Sequence, residues 1–287
     1  MINIIDTYPK LMECFTGGTF QMDKWEAYME EALPGASPIF LADMKDSIDN
    51  GGYSWEEDYL PVLNAVAEDA QLREQAHEAF CKATDGLEEK LLAVFGKSVD
   101  ANIVFYLGLC NGAGWVTGYD GKTTVFLGIE KIMELEWCEV SDMYGLIYHE
   151  LGHVYQKQHG VLDRTFNGEA AKVYLWKLFI EGVAMYFEQA LVGDFQFYHE
   201  DKDGWKAWCD ANFDRIKQDF AADLPTMGFA NQRYFGDWVS YMGHGDVGYY
   251  LGCRFLQFIC SKYKFDDVIN YDIGRVETLY ERFNRLG

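Results

Sequence analysis

The sequence predicts an α+β fold dominated by helices, with one small antiparallel sheet and a helical C-terminal lobe. No proline occurs between Pro61 and Pro225, so long helices can run uninterrupted through the middle of the chain. Apolar residues recur at helical spacing on both sides of residues 102–128. That stretch instead contains short β-branched and aromatic runs, which are typical of strands.

The N-terminal residues 1–100 are expected to form a helical region, with helices at about 21–31, 37–49 and 56–95. Residues 101–287 are expected to form the larger region, which carries the predicted site. A chain of 287 residues can bury a sizeable core, either in these two parts or as one continuous domain.

The predicted sheet contains a hairpin signal. Apolar and aromatic runs occupy 102–107, 115–117 and 123–127, and Asp120 and Gly121 separate the last two. Both of these residues tolerate the positive φ angle that a tight turn requires. The runs on either side of the turn are therefore expected to pair as antiparallel strands.

The rest of the chain is expected to be helical. Ser141 is suited to cap a helix that Gly160 ends, and Asn167 to cap the next helix, which continues to about Val192. Three later helices are predicted at about 203–221, 246–263 and 274–285.

Composition excludes some classes of partner. The net charge of −22, from 46 acidic and 24 basic residues, repels nucleic acids and anionic membrane surfaces. The N-terminus resembles no signal peptide, and no apolar run is long enough to span a membrane. Seven scattered cysteines, an odd number, are expected to be reduced, so the predicted location is cytoplasmic.

The motif HELGH at 149–153 predicts a metal site. Residues four apart on a helix share a face, so His149 and His153 can bind one cation. Glu150 is placed to act as a general base without being a ligand. Zinc is the expected ion, because it polarises carbonyl groups and lowers the pKa of a bound water molecule towards neutrality. The apolar neighbours of the motif predict a buried helix, in which unpartnered polar groups would be costly.

A catalytic zinc site has three protein ligands, and two residues compete for the third position. Glu181 lies in an apolar helical stretch, where a carboxylate needs a partner. A salt bridge to Lys177, one turn earlier, is its alternative partner. His159 has the third-ligand spacing of metzincins, ten residues after His149, but Gln156 replaces their chain-turning glycine. Glu181 is therefore the expected ligand.

These motifs resemble those of gluzincin metallopeptidases. In aminopeptidase N and its relatives, HExxH is followed by a helix with the pattern EGxxxYxE, which EGVAMYFE at 181–188 matches. The sequence is also similar to bacterial predicted zinc-dependent proteases that carry HExxH and EGxA. The resemblance covers about residues 102–256. It implies a zincin-like (thermolysin-like) catalytic domain that holds zinc through His149, His153 and Glu181.

The segment GYYLG at 248–252 looks like the YxxG element of the same relatives, whose tyrosine stabilises an oxyanion. Aligning the glycine of that element with Gly252 gives this role to Tyr249. Tyr250 and His244 are alternative donors, and simple aromatic packing at the start of a helix would also explain the two tyrosines.

Two features depart from the aminopeptidase pattern. Those enzymes carry a GxMEN stretch whose glutamate anchors the substrate amine, whereas the local counterpart, GAGW at 112–115, has no glutamate. The sequence therefore does not support exopeptidase specificity, and the choice between endo- and exo-cleavage stays open. The interval between the two metal motifs is also longer, which predicts an additional loop near 160–168.

The sequence thus predicts a zinc-dependent peptidase that acts on a peptide or small protein, with Glu150 as general base and then general acid. A zincin scaffold that only binds or regulates a partner is one alternative, although the intact Glu150 favours catalysis. Hydrolysis of another amide or of an ester is a second alternative, which would use the same residues.

Overall fold

The computed structural model describes residues 1–166, 169–199, 201–236 and 238–285. Helices account for 61% of the described residues and are accompanied by a small mixed sheet, which confirms the helix-dominated α+β class. The chain divides into two compact units, Met1–Glu150 and Leu151–Gly287. The division falls inside one continuous helix, Val140–His159.

The first unit contains the strands and the shorter helices. Its strands are β1 (Ile2–Asp6), β2 (Phe15–Thr16), β3 (Thr19–Phe20), β4 (Ala101–Tyr106), β5 (Gly114–Tyr119) and β6 (Lys122–Gly128). Its helices are α1 (Tyr8–Leu11), α2 (Met22–Ala32), α3 (Ser37–Gly51), α4 (Leu60–Glu68), α5 (Ala70–Thr84), α6 (Leu87–Phe95), α7 (Ile129–Glu134) and the first half of α8 (Val140–His159). The predicted helices at 21–31 and 37–49 are confirmed as α2 and α3.

The stretch at 56–95 that was predicted to be mainly helical contains three helices, α4 to α6, preceded by a π-helical turn at Trp55–Tyr59. Asp69 ends the first of them and begins the next, because its side chain accepts a hydrogen bond from the backbone N–H of Leu72 at 2.9 Å. Gly86, with φ of 63°, separates the second from the third.

The main sheet is mixed, with strand order β1-β4-β6-β5, so the prediction of an antiparallel sheet was wrong for most of it. Strands β1, β4 and β6 are parallel, and only β5 runs antiparallel to its neighbour β6. The predicted region at 102–128 supplies three of the four strands. The fourth, β1, comes from the N-terminus and pairs Ile4 with Ile103. Parallel pairing over that distance has no local turn signal in the sequence.

The hairpin between β5 and β6 is confirmed. Tyr119 pairs with Lys122, and the two residues between them, Asp120 and Gly121, have φ angles of 51° and 70°. Two positive φ values in a two-residue loop match the twist of antiparallel strands. In the strand order, β5 is one of the two outer strands of the four-stranded sheet.

The second unit is helical. It contains the second half of α8, then α9 (Ala170–Val192), α10 (Trp205–Ala211), α11 (Phe213–Asp223), α12 (Val247–Cys260), α13 (Phe265–Val268) and α14 (Ile273–Arg285). The last residue of α8 directly precedes Gly160, as predicted. The predicted cap of α9, Asn167, lies outside the described residues. The predicted helix at 203–221 is two helices, α10 and α11, separated at Asn212.

Glycines bring the long helices of this unit close together. A Cβ atom added to Gly152 of α8 would lie 2.7 Å from the Cα atom of Ala184 in α9. One added to Gly182 of α9 would overlap the carbonyl oxygen of Gly252 in α12. Backbones approach this closely only where no side chain intervenes.

Among the described helices, none combines the length and apolar character needed to cross a membrane.

Glu130, at the start of α7, is a buried carboxyl group in the first unit, only 1% exposed. Its oxygens accept hydrogen bonds from the backbone N–H groups of Gly108 at 2.8 Å and Cys110 at 3.1 Å. Burial raises the pKa of Glu130 from 4.5 to about 7, against the opposing effect of those hydrogen bonds and of Lys131. The folded protein therefore binds the proton of Glu130 more tightly than the unfolded chain does.

We expect this group to make stability fall as pH rises. Because its folded pKa lies above the unfolded value, its contribution is complete below about pH 4.5 and is lost as pH passes about 7. Glu130→Gln, which stays neutral, should lose less thermal stability than the wild type between about pH 5 and pH 8. Melting temperatures across this range test it, with Glu134→Gln on the same helix as control. A difference between Glu130→Gln and wild type that is the same at every pH would contradict the prediction.

Candidate metal centre

Helix α8 holds the HELGH motif as predicted. His149 and His153 are one turn apart on this continuous helix, so their imidazoles project from one face. The flanking apolar residues are buried, which confirms the expected environment: Leu146, Ile147, Leu151 and Val154. His149 itself is only 6% exposed. An imidazole in such surroundings requires a polar partner.

Glu181 lies on α9 and meets the motif. Its Oε2 atom is 3.2 Å from Nε2 of His153, and the two side chains are 12% and 16% exposed. Nitrogen and oxygen ligands of one tetrahedral zinc ion are about 3.3 Å apart, so this spacing fits a shared cation. His149, His153 and Glu181 form a group of side chains that could hold a metal ion, each offering one ligand atom. Two imidazoles and one carboxylate are also a donor set that suits zinc.

The structure gives less support to the two alternatives, a salt bridge between Glu181 and Lys177 and a third metal ligand at His159. The ammonium group of Lys177 lies over the ring of Phe235, 5.0 Å from its centroid, and so has a partner other than Glu181. The ring of His159 packs against Tyr155, with 4.6 Å between centroids. Because α8 continues unbroken to His159, this residue is about 120° around the helix from His153.

The close approach of α8 and α9 positions the metal group. Gly152 precedes His153 directly, and Ala184 is one turn after Glu181. These two small residues form the contact between the helices, where an added Cβ would overlap the backbone of α9. A larger residue at either position would separate the imidazole from the carboxylate.

Glu150 is partly exposed and lies beside the sheet of the first unit. A Cβ atom added to Gly114 would lie 3.3 Å from Cγ of Glu150 and 2.7 Å from Cδ1 of Leu146. Gly114 is the first residue of β5, an outer strand of the sheet. The lack of a side chain at Gly114 thus leaves room for the predicted base at the beginning of that strand.

The two predicted tyrosines lie in different surroundings in α12. The hydroxyl of buried Tyr250 donates a hydrogen bond to Oδ1 of Asp210 at 2.6 Å and accepts one from Arg254 at 2.9 Å. Tyr249 is partly buried, and its ring meets that of Phe235 edge-on at 5.9 Å. His244 precedes the helix and stacks on Trp208, with 3.8 Å between centroids.

Helical geometry separates these tyrosines further. Gly252 is the residue of α12 that touches α9 next to Glu181. At about 100° per residue, Tyr249 lies about 60° from Gly252 around the helix, and Tyr250 about 160°. Tyr249 is therefore on the side of α12 that faces α9. It also contacts the same ring, Phe235, as Lys177, which is one turn from Glu181.

Sequence analysis missed a buried pair of polar residues near the end of α9. Glu188 is 0% exposed, and both its carboxylate oxygens are 3.0 Å from Nδ1 of His199. Both residues also belong to a group of possible metal ligands. Glu188 was noted only as the last position of the EGxxxYxE pattern. His199 lies in an irregular segment after α9, and no local motif identifies it.

Comparisons with models of protein families, with curated proteins and with solved structures found no match. What supports a metal site is therefore the set of donor atoms on α8 and α9. Its donors are of the types that zinc binds, and the 3.2 Å between His153 and Glu181 fits a shared ion.

Enlarging Gly152 should weaken metal binding. In Gly152→Ala the new methyl group would meet the backbone of Ala184, so α8 and α9 must separate and carry His153 away from Glu181. Positional errors of supporting residues typically cost about 10- to 100-fold in metal affinity, and we expect a loss of that size. Competition for zinc with a chromophoric chelator measures it.

The matched control is Gly245→Ala, since an added Cβ there has no atom within 4 Å. Circular dichroism of both variants should show wild-type helix content. Equal zinc affinity for Gly152→Ala and Gly245→Ala would show that the helix contact does not position the ligands.

Proposed function

We propose that this protein is a zinc-dependent metallopeptidase with a zincin-like catalytic domain, in which His149, His153 and Glu181 hold the ion. The observation that carries the proposal is the 3.2 Å between Glu181 and His153. This contact brings together the two motifs, HELGH at 149–153 and EGVAMYFE at 181–188. The resemblance to gluzincins assigns the same three positions.

Zinc, when bound, supplies a Lewis acid that polarises the substrate carbonyl and makes water acidic. Glu150 accepts the proton of the attacking water and then delivers it to the departing amine nitrogen. Its position suits this role, because it is next to a ligand in sequence but about 100° from it around the helix. Partial exposure lets it exchange protons with solvent.

An extended peptide is the substrate that the sheet favours. Strand β5 is an outer strand, and a peptide can add to such an edge through backbone hydrogen bonds. The strand begins at Gly114, against Glu150, so a peptide paired with β5 would pass the general base. Pairing of this kind recognises the backbone and needs no free terminus, consistent with the missing glutamate at 112–115.

Tyr249 is the oxyanion donor of this proposal. It lies on the side of α12 that faces α9, whereas the hydroxyl of Tyr250 already donates to Asp210. A phenol that donates a hydrogen bond to a developing oxyanion stabilises the transition state more than the bound substrate.

The setting of the proposed enzyme follows from composition. A net charge of −22 supports a cationic or neutral peptide over nucleic acids and anionic membranes. The odd number of cysteines supports a reducing, cytoplasmic location.

Glu150→Gln tests the central claim. The amide keeps the shape of the side chain but cannot accept a proton. We therefore expect the group of His149, His153 and Glu181 to keep about one zinc ion, and kcat to fall by at least about 100-fold. Hydrolysis of a quenched fluorescent peptide library and zinc analysis of the same preparations measure both. Full activity in Glu150→Gln would exclude this mechanism. Peptides would be excluded as substrates if the wild-type protein bound zinc and cleaved no peptide of the library, but cleaved simple esters or other amides.

A pair of tyrosine variants tests the oxyanion donor. Tyr249→Phe should lower kcat by about 10- to 1000-fold with little change in KM, since the lost hydrogen bond forms in the transition state. Tyr250→Phe should keep kcat and lower thermal stability, because it removes the hydrogen bond that the buried Tyr250 hydroxyl donates to Asp210. The reverse pattern would assign the role to Tyr250, and two unaffected variants would leave His244 as donor.

A further inference from the structure

A second cluster of ligand atoms lies in the first unit. Asp6 ends strand β1, and His77 and Cys81 lie one turn apart on α5. Nε2 of His77 is 2.7 Å from Oδ2 of Asp6 and 3.6 Å from Sγ of Cys81. The three atoms lie within 4.8 Å of one another. Sequence analysis attached no role to any of these residues.

The spacing of the cluster suits coordination. Nitrogen and sulfur ligands of one tetrahedral zinc ion are about 3.5–3.6 Å apart, which is the separation of His77 and Cys81. Nitrogen and oxygen ligands are about 3.3 Å apart, so Asp6 must move back by about 0.6 Å from its hydrogen bond to His77. Asp6 is exposed at the end of its strand, where its side chain has room for that movement.

The imidazole is already held in place. The ring of Tyr8 stacks on that of His77 with 3.8 Å between centroids and 3° between planes. The backbone N–H of Tyr8 also donates to Oδ1 of Asp6 at 3.0 Å, which directs the other carboxylate oxygen towards His77. Such supporting contacts orient ligands before an ion arrives.

A nucleophilic Cys–His–Asp triad does not fit this geometry. In a triad the cysteine and the carboxylate contact different nitrogens of the imidazole, whereas here both contact Nε2. Three donors around a single point are instead the arrangement that a cation requires.

We propose that Asp6, His77 and Cys81 form a second divalent-cation site, which takes a thiophilic ion such as Zn²⁺. Thiolate and imidazole donors favour zinc over magnesium or calcium, which prefer oxygen ligands. An open cavity of about 440 Å³, lined in part by Asp6, Cys81, Lys82 and Asp85, borders the cluster. It leaves room for water or an external ligand at the fourth coordination position.

The thiol of Cys81 gives a read-out specific to this site. Cys81 is exposed, whereas the other six cysteines are buried or partly buried, so an aromatic disulfide reagent modifies Cys81 first. Zinc at about ten times its Kd should slow that modification by about 10-fold, because about one site in eleven stays empty. A chelator should restore the rate, and magnesium should have no effect.

Matched variants separate three-ligand binding from binding by a thiol alone. Asp6→Asn and His77→Gln should each weaken zinc protection of Cys81 by at least about 10-fold. Asp85→Asn changes a carboxylate that lines the same cavity but is outside the cluster, and should leave protection unchanged. Cobalt should give a thiolate charge-transfer band in the wild type that Cys81→Ser lacks.

Unchanged labelling of Cys81 in the presence of zinc would overturn the proposal, as would equal protection in Asp6→Asn and Asp85→Asn. Neither result bears on peptide hydrolysis, since the proposed catalytic group on α8 and α9 contains no thiol. Zinc analysis adds a count: the wild type should bind one more equivalent than Cys81→Ser.

Discussion

The contact between α8 and α9 at Gly152 and Ala184 is the constraint on which the proposed centre depends. It brings Glu181 within 3.2 Å of His153 while leaving both side chains largely buried. Burial of an ionisable pair is costly unless its Coulombic attraction and hydrogen bonds offset the desolvation. A bound cation would offset that cost by coordinating both groups. The helix contact that desolvates His153 and Glu181 therefore also places them where one cation can bind both.

A second glycine contact supports the first. Gly182 is adjacent to Glu181 and meets Gly252 of α12, so α9 is held close to α8 at one point and to α12 at another. Each interior glycine costs a helix about 1 kcal/mol relative to alanine, so three such glycines are locally unfavourable. Their presence is explained by close packing, which fixes the rotation of α9 and with it the direction of Glu181.

The sequence allowed prediction of features that local patterns determine. The spacing within HELGH places two imidazoles on one helical face, and Asp120-Gly121 specifies a hairpin. Glu181 was predicted because a carboxylate in an apolar helix needs a partner, and it meets His153. The alignment of the YxxG-like segment favoured Tyr249 as the proposed donor but left Tyr250 and His244 as alternatives, because sequence alone does not show that Asp210 engages the hydroxyl of Tyr250.

Features that depend on distant residues were not predicted. Strand β1 is parallel to β4, about 100 residues later, and no turn connects them in sequence. The same pairing explains why the second cluster was missed. Asp6 and His77 are 71 residues apart, and they meet only because β1 joins the sheet on which α5 packs through Phe80 and Phe105. Glu188 and His199 are closer in sequence, but an irregular segment joins them.

The two clusters share a plan but differ in donor charge. Each combines two side chains one turn apart on a helix with a carboxylate from another element. Two neutral imidazoles and a carboxylate leave a zinc ion with a net positive charge, whereas an imidazole, a carboxylate and a thiolate neutralise it. A cation that keeps positive charge attracts electrons from water and carbonyl groups more strongly. The group on α8 and α9, which has Glu150 beside it, is therefore suited to hydrolysis. The group of Asp6, His77 and Cys81 is suited to holding an ion.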